Sequence, residues 1–332
     1  MKSIRRIIVG LGLALGSGTS GLAQSPCMMA QSFDDPRRVI HDAASLLWVR
    51  PLEVDADGAP NAYHRDDPHG KMGLAIEYLG HGMTITRDGQ PLAFVLDEQA
   101  NSDWLTSYNS IVQNGWEAPP GYSVDIYGFA RDEGGKVCEA KSGRLVSATS
   151  LTLNPKARQC DPKRYVDALR FPGIVVPNRA STDGAVDGAD PEVAPPFAER
   201  GVGLGDLAVV YNPERRVWKG ALLHDTGPRD QLGEGSIRLV MDLRGLKRVP
   251  SSAAETNSLG IVETFTVLFP GSATDLGPKR TWTPQKIERA AAERFRKWGG
   301  GTVKGALQRL LNCAEEYKRR ELTRSHPPLA NP

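Results

Sequence analysis

Four cysteines in 332 residues, none in a C-x-x-C pair, leave no zinc knuckle. No G-x-S-x-G is present, so a serine-hydrolase elbow is missing, and Ser236 has no base assigned to it. There is no internal repeat and no long low-complexity tract. The one apolar run near the start, Ile7 to Leu15, is too short to span a bilayer. The 41 basic and 39 acidic residues give a net charge of only +2, and the basic ones are scattered. Lys318-Arg319-Arg320 is the nearest thing to a basic run and reads as a solvated helix face. Nucleic acid is therefore not an expected partner. What is plentiful is turn-forming residues: Gly 35 and Pro 24 favour a β-rich body over a helical bundle.

Lys2, Arg5 and Arg6, the apolar Ile7 to Leu15, and the small residues around Gly21-Leu22-Ala23 read as a signal peptide cleaved after Ala23. Those 23 residues hold three basic and no acidic side chains. The rest then carries 38 against 39, a net of −1. A secreted or periplasmic location follows, with no membrane contact after cleavage. In that oxidising setting Cys27, Cys138, Cys160 and Cys313 allow two disulfides by three pairings. Cys138–Cys160 is favoured as the shorter link.

Alternating or β-branched stretches predict strands at Met83–Thr86, Leu92–Val95, Arg144–Ser147, Gly173–Val176 and Glu263–Phe269. Two more flank the turn at Asn212-Pro213, covering Val209 to Tyr211 and Val217 to Leu223. Asp35 to Leu47 has helical spacing with an Asp placed to cap it. Glu53 to Asp67 reads as a polar, Asp-rich block, and 181–199 as a surface loop. Thr283 caps a helix with Pro284 at its first position and Ile287, Ala290, Ala291, Phe295 and Trp298 on one face. Gly299-Gly300-Gly301 stops it, and a second helix runs from Val303 to Arg320. The fold expected is mainly β: a double-psi-like β-barrel core with peripheral helices and a C-terminal helical pair. Residues 24–278 form the main domain and 279–332 the helical extension.

The chemistry concentrates between Val202 and Leu239. A strand runs into His224-Asp225-Thr226-Gly227-Pro228, and nine residues after Asp225 comes Glu234, between Gly233 and Gly235. An acid at a strand end facing a second acid on a glycine-flanked loop is how a glycosidase places two carboxyl groups across a sugar bond. Asp55, Asp57, Asp66, Asp67 and Glu77 are the acids able to line a groove, and Tyr63 and Trp218 the rings able to face a sugar. Asp55-x-Asp57-Gly58 opens like a calcium loop but puts its Gly too early and Asp66 where Glu belongs. His64 and His69 with Asp66 and Asp67 make a poor zinc set. No metal and no cofactor are expected.

Seven blocks follow one another in a familiar order: Asp55–Asp67, Val146–Leu151, Arg164–Pro177, Gly205–Val210, Ala221–Pro228, Gly233–Ile237 and Leu268–Ser272. Together they resemble the family 75 glycoside hydrolases, which include fungal chitosanases and bacterial relatives, over roughly residues 50–275. The resemblance implies hydrolysis of chitosan, a β-1,4-linked glucosamine polymer, within the chain and with inversion. It implies Glu234 as general acid and Asp225 as base toward water. Substrate contacts are expected from Asp55, Asp57, Tyr63, Asp66, Thr226 and Ser236. A monomer with a polysaccharide substrate is expected. His224 stands where the family pattern has a glycine, and 84–135 and the helices from Thr283 depart from it. An envelope glycan such as peptidoglycan is a second reading. A non-catalytic carbohydrate-binding protein on the same fold is a third.

Overall fold

The computed structural model describes residues 27, 31–32, 39–67, 70–76, 78–95, 102–178, 192–227, 231–277 and 282–325. Its centre is a closed barrel of six strands. They are β1 (Leu46–Asp55), β2 (Gly173–Pro177), β3 (Leu207–Asn212), β4 (Val217–Gly227), β5 (Glu234–Ser236) and β6 (Ile261–Phe269). Around the barrel they run β1-β5-β2-β4-β3-β6, and β6 pairs back onto β1. The β1–β5 and β2–β4 pairs are parallel and the other four antiparallel.

Strand composition explains this core. Gly-Ile-Val-Val-Pro in β2 and Leu-Ala-Val-Val-Tyr-Asn in β3 are buried along their whole length. Such uninterrupted β-prone runs belong to strands covered on both faces. The inner face fills the barrel. The outer face of β3 and β4 lies under a C-terminal helix, Pro284–Trp298. Gly220 on β4 makes that contact possible, since a Cβ there would sit 2.7 Å from the Cβ of Ala291.

Six α-helices lie among the described residues: α1 (Ser102–Gln113), α2 (Pro195–Ala198), α3 (Ile237–Arg244), α4 (Ala253–Asn257), α5 (Pro284–Trp298) and α6 (Val303–Ser325). The C-terminal pair forms as its sequence predicts, with Thr283 Oγ1 accepting from Lys286 N at the start of α5. The pair packs on the barrel directly. Phe295, Ile287, Leu310 and Cys313 join the core, and Trp298 Nε1 donates to Ser45 Oγ at 2.9 Å. No described helix is long and apolar enough to cross a membrane.

Two disulfides are present, Cys138–Cys160 with Cα atoms 5.1 Å apart and Cys27–Cys313 at 4.8 Å. Two sequence blocks far apart in the chain meet at Asp206. Its carboxylate accepts from Gly203 N (2.9 Å), Gly271 N (3.0 Å) and Ala273 N (2.9 Å), clasping the start of β3 to the turn after β6.

Several expectations change. The helix at 35–47 does not form across its described part: Ile40–His41 is a short strand and β1 begins at Leu46. Its apolar residues fit a 3.6 spacing by coincidence, and pairing with β6 decides otherwise. The polar block beginning at Glu53 starts inside β1, which continues through Asp55, held by β5. Leu92–Val95 is not a strand; pairing there stops at Gln90–Pro91. Residues 181–191 of the expected 181–199 loop, the expected leader, His69 and Glu77 lie outside the described residues, and the rest of that loop contains α2.

Candidate active site

Strand β4 carries the proposed base. Its register against β2 passes from Leu223↔Ile174 directly to Asp225↔Val175, so His224 is an extra residue in a bulge. A bulge re-aims side chains. Here it places the fully buried His224 between Leu223 and Asp225, with no register partner of its own on β2. The bulged ring needs a glycine beside it: a Cβ on Gly173 would lie 2.4 Å from His224 Nδ1.

Asp225 is 8% exposed. Its Oδ1 accepts from Ser150 N (3.0 Å), Ser150 Oγ (2.6 Å) and Thr226 N (2.8 Å). The Ser150 segment is itself pinned to β4 by Leu151 N donating to His224 O at 3.0 Å. Burial and the nearby Asp55 charge push the Asp225 carboxyl up to about 6, against the opposing pull of His224 and the Ser150 bonds.

Asp55, the last residue of β1, accepts from Asp57 N at 2.8 Å through Oδ1. Its Oδ2 lies 3.1 Å from His224 Nε2. The other ring nitrogen, Nδ1, is 3.0 Å from Ile174 O. A carbonyl only accepts, so Nδ1 carries a hydrogen. Burial alone lowers the imidazole, but Asp55, and Asp225 beyond it, outweigh that and hold it above its ordinary value.

Glu234 opens β5 and is half-buried. Its sequence predicts a loop; instead it is a barrel residue, placed by Gly233 at φ 114° under the backbone of Pro51. Its register partner on β2 is Val175, which is also the partner of Asp225 on the other side. The two acids therefore stand on either side of that strand at the same level. The Glu234 side chain leans over it: a Cβ on Gly227 would be 2.9 Å from Glu234 Oε2. Asp225 and Gly227, two residues apart on β4, share a face. Both carboxyl groups thus lie on one side of the sheet.

The remaining predicted residues divide. Thr226 is half-buried, its Oγ1 2.9 Å from Ser150 Oγ. Asp57 is also half-buried, and its Oδ1 accepts from Tyr63 Oη (2.7 Å) and Ser147 Oγ (3.0 Å). Tyr63 is corrected: it is 2% exposed, packed edge-on to Phe129 with centroids 4.6 Å apart, so its ring meets no sugar. Burial, then Asp57, drives its hydroxyl well above the ordinary value. Ser236 is corrected too. It is fully buried, accepts from Gly173 N and Leu239 N, and donates to Phe171 O as the cap of α3. Asp55 is too buried to pair with a substrate ammonium group. Trp218 packs on Phe295 under α5. Asp66 is exposed and bonded to Arg65; among the described residues nothing joins it to Asp225.

His64 spends both nitrogens locally, Nε2 on Ser142 O (2.7 Å) and Nδ1 on Asp66 N (3.1 Å), which removes it from any zinc set. The described residues able to hold a cation together are Asp55, His224 and Asp225. Sequence reasoning missed Ser150 and the partnership of His224 with Asp55. The first lies in the Val146–Leu151 block, and the second spans 169 positions of chain, so no local spacing signals it. No protein-family model matches the chain, and no curated protein matches it.

Proposed function

We propose that this protein is a secreted glycan hydrolase, most specifically a chitosanase, that cleaves with inversion using Asp225 as base and Glu234 as acid. The observation that carries the reading is the placement of Asp225 and Glu234 on either side of Val175, on one face. Two strand spacings put their Cα atoms about 9.5 Å apart. The lean of Glu234 toward Gly227 shortens the gap between carboxyl groups. Inversion itself rests on the family resemblance, and it asks for carboxyl groups ~6.5–9.5 Å apart with a water between.

The electrostatics support the division of labour. With three donors on Oδ1, Oδ2 is the Asp225 oxygen left to take a proton from water. A carboxylate raised to about 6 is a stronger base than ordinary aspartate yet is mostly ionised at neutral pH. The two parallel pairs in the six-stranded ring support a double-psi arrangement of the barrel. The two disulfides support an oxidising destination.

The test is incubation, in chelator, with chitosans of graded acetylation and in parallel with purified sacculi, products being sized by mass spectrometry. Chain-internal cleavage of chitosan is expected. Asp225→Asn and Glu234→Gln should each lower kcat by ~10²–10⁴-fold. Folded variants that both work at the parent rate would refute the assignment. Cleavage of sacculi alone would move the substrate to peptidoglycan.

A further inference from the structure

The Asp55–His224 contact differs from those of the buried carboxylates Asp67 and Asp206. Asp67 and Asp206, both buried, each accept three backbone N–H groups. Asp55 accepts one, on Oδ1. Its Oδ2 and His224 Nε2 are both sealed from solvent and neither has a hydrogen-bond partner, although they lie 3.1 Å apart. The pair is close enough for an ion contact but does not meet hydrogen-bond geometry. A protonated imidazole bound to a carboxylate is normally aligned and shorter, ~2.7–2.9 Å. Among the described residues no lysine or arginine pairs with Asp55 or with Asp225.

Two donors that share one ion at ~2.0–2.2 Å sit about 3–3.4 Å from each other. The 3.1 Å separation falls in that range. A third donor is at hand: suitable atoms of Asp55, His224 and Asp225 all lie within 4.8 Å of one another. In the neutral ring the Nδ1–H bond to Ile174 O leaves the lone pair on Nε2, as in metal sites where the outer nitrogen is held by a carbonyl, and an ion would take the place of the Nε2 proton. The Asp57 N–H does the same for Asp55, holding Oδ1 so that Oδ2 turns to the ring.

We propose that Asp55 Oδ2, His224 Nε2 and Asp225 Oδ2 bind a divalent first-row transition-metal ion. One imidazole with two carboxylate oxygens suits zinc or manganese better than calcium or magnesium, which prefer oxygen alone. Three protein donors leave room for water on the ion. The site does not depend on the hydrolase reading. If that reading holds, one Asp225 oxygen serves both the ion and proton abstraction, so loading and base catalysis exclude one another.

The experiment uses the full chain, stripped with chelator and titrated separately with Zn²⁺ and Mn²⁺ by calorimetry, with metal content measured after dialysis. One equivalent per chain is expected for at least one ion, with a rise in thermal midpoint. Asp55→Asn and His224→Gln should each weaken binding by about 100-fold or more, since even outer-shell changes cost ~10–100-fold. Circular dichroism checks folding; if His224→Gln unfolds, Asp55→Asn, which keeps the side-chain shape, carries the comparison. Glu234→Gln should bind as the parent does while losing hydrolysis, which separates this proposal from the preceding one. Absence of binding by the parent would overturn the proposal, and ¹⁵N NMR showing both His224 nitrogens protonated would then put a proton in the ion's place. Binding that survives both ligand substitutions would overturn it as well.

Discussion

Replacing Asp225 by Asn should stabilise the fold at neutral and alkaline pH. The carboxyl titrates near 3.8 when free and is pushed up to about 6 in the folded barrel. That gap of about two units is worth ~3 kcal/mol at 1.36 kcal/mol per unit. The sign follows from proton counting. Between about pH 4 and 6 the folded chain binds this proton and the unfolded chain does not. Stability from this group is therefore fully present below about 4 and is lost as pH rises through 6. The amide of the Asp225→Asn variant carries no such titration, and its oxygen can still accept from Ser150 and Thr226 in place of Oδ1. Urea unfolding of parent and variant in EDTA, followed by tryptophan fluorescence, reads the difference. Between about pH 4 and pH 8 the variant should gain ~3 kcal/mol on the parent. A difference that stays constant within about 1 kcal/mol, or that moves against the variant as pH rises, would show that Asp225 is not held in its protonated form by burial and Asp55.

Three other outcomes follow from the same geometry. Ser150→Ala removes a 2.6 Å bond to Asp225 Oδ1 that favours ionisation, so the acidic limb of the pH–rate profile should move upward from about 6 by roughly one unit; an unmoved limb would mean Asp225 does not set it. Gly173→Ala drives a Cβ to 2.4 Å from His224 Nδ1 and should cost ~1–3 kcal/mol in a denaturant titration, with kcat falling more than KM changes. Cys27→Ser with Cys313→Ser opens a link across 286 residues and should lower unfolding free energy by ~2–5 kcal/mol, read by calorimetry against the parent under oxidising conditions.

The parts of the fold legible in the chain were those set by local chemistry. The β3–β4 hairpin announces itself by β-branched residues around Asn212-Pro213, and α5 by its Thr283-Pro284 start. The region from Asp35 to Leu47 misleads because its spacing suits a helix, while Leu46 and Leu47 pair with Leu268 and Val267, more than two hundred residues away in β6. Glu234 looks like a loop residue because glycines flank it. Those glycines serve instead to let β5 pass close to Pro51 and Gly173. Tyr63 and Ser236 look like substrate groups because they sit in polar, motif-like blocks. Their hydroxyls are spent on Asp57 and on the cap of α3.

Sequence alone pointed to the β3–β4 hairpin and to the starts of α5 and α6, showed which cysteines were available to pair, and singled out Asp225 and Glu234 as candidate acids, because capping, β-propensity and motif spacing act within a few residues. Only the tertiary structure decided that both acids flank Val175, that a bulge turns His224 inward, and that Asp55 meets it from the far end of another strand. Barrel closure made those choices, since burial and electrostatic contact depend on distance through space and not on distance along the chain.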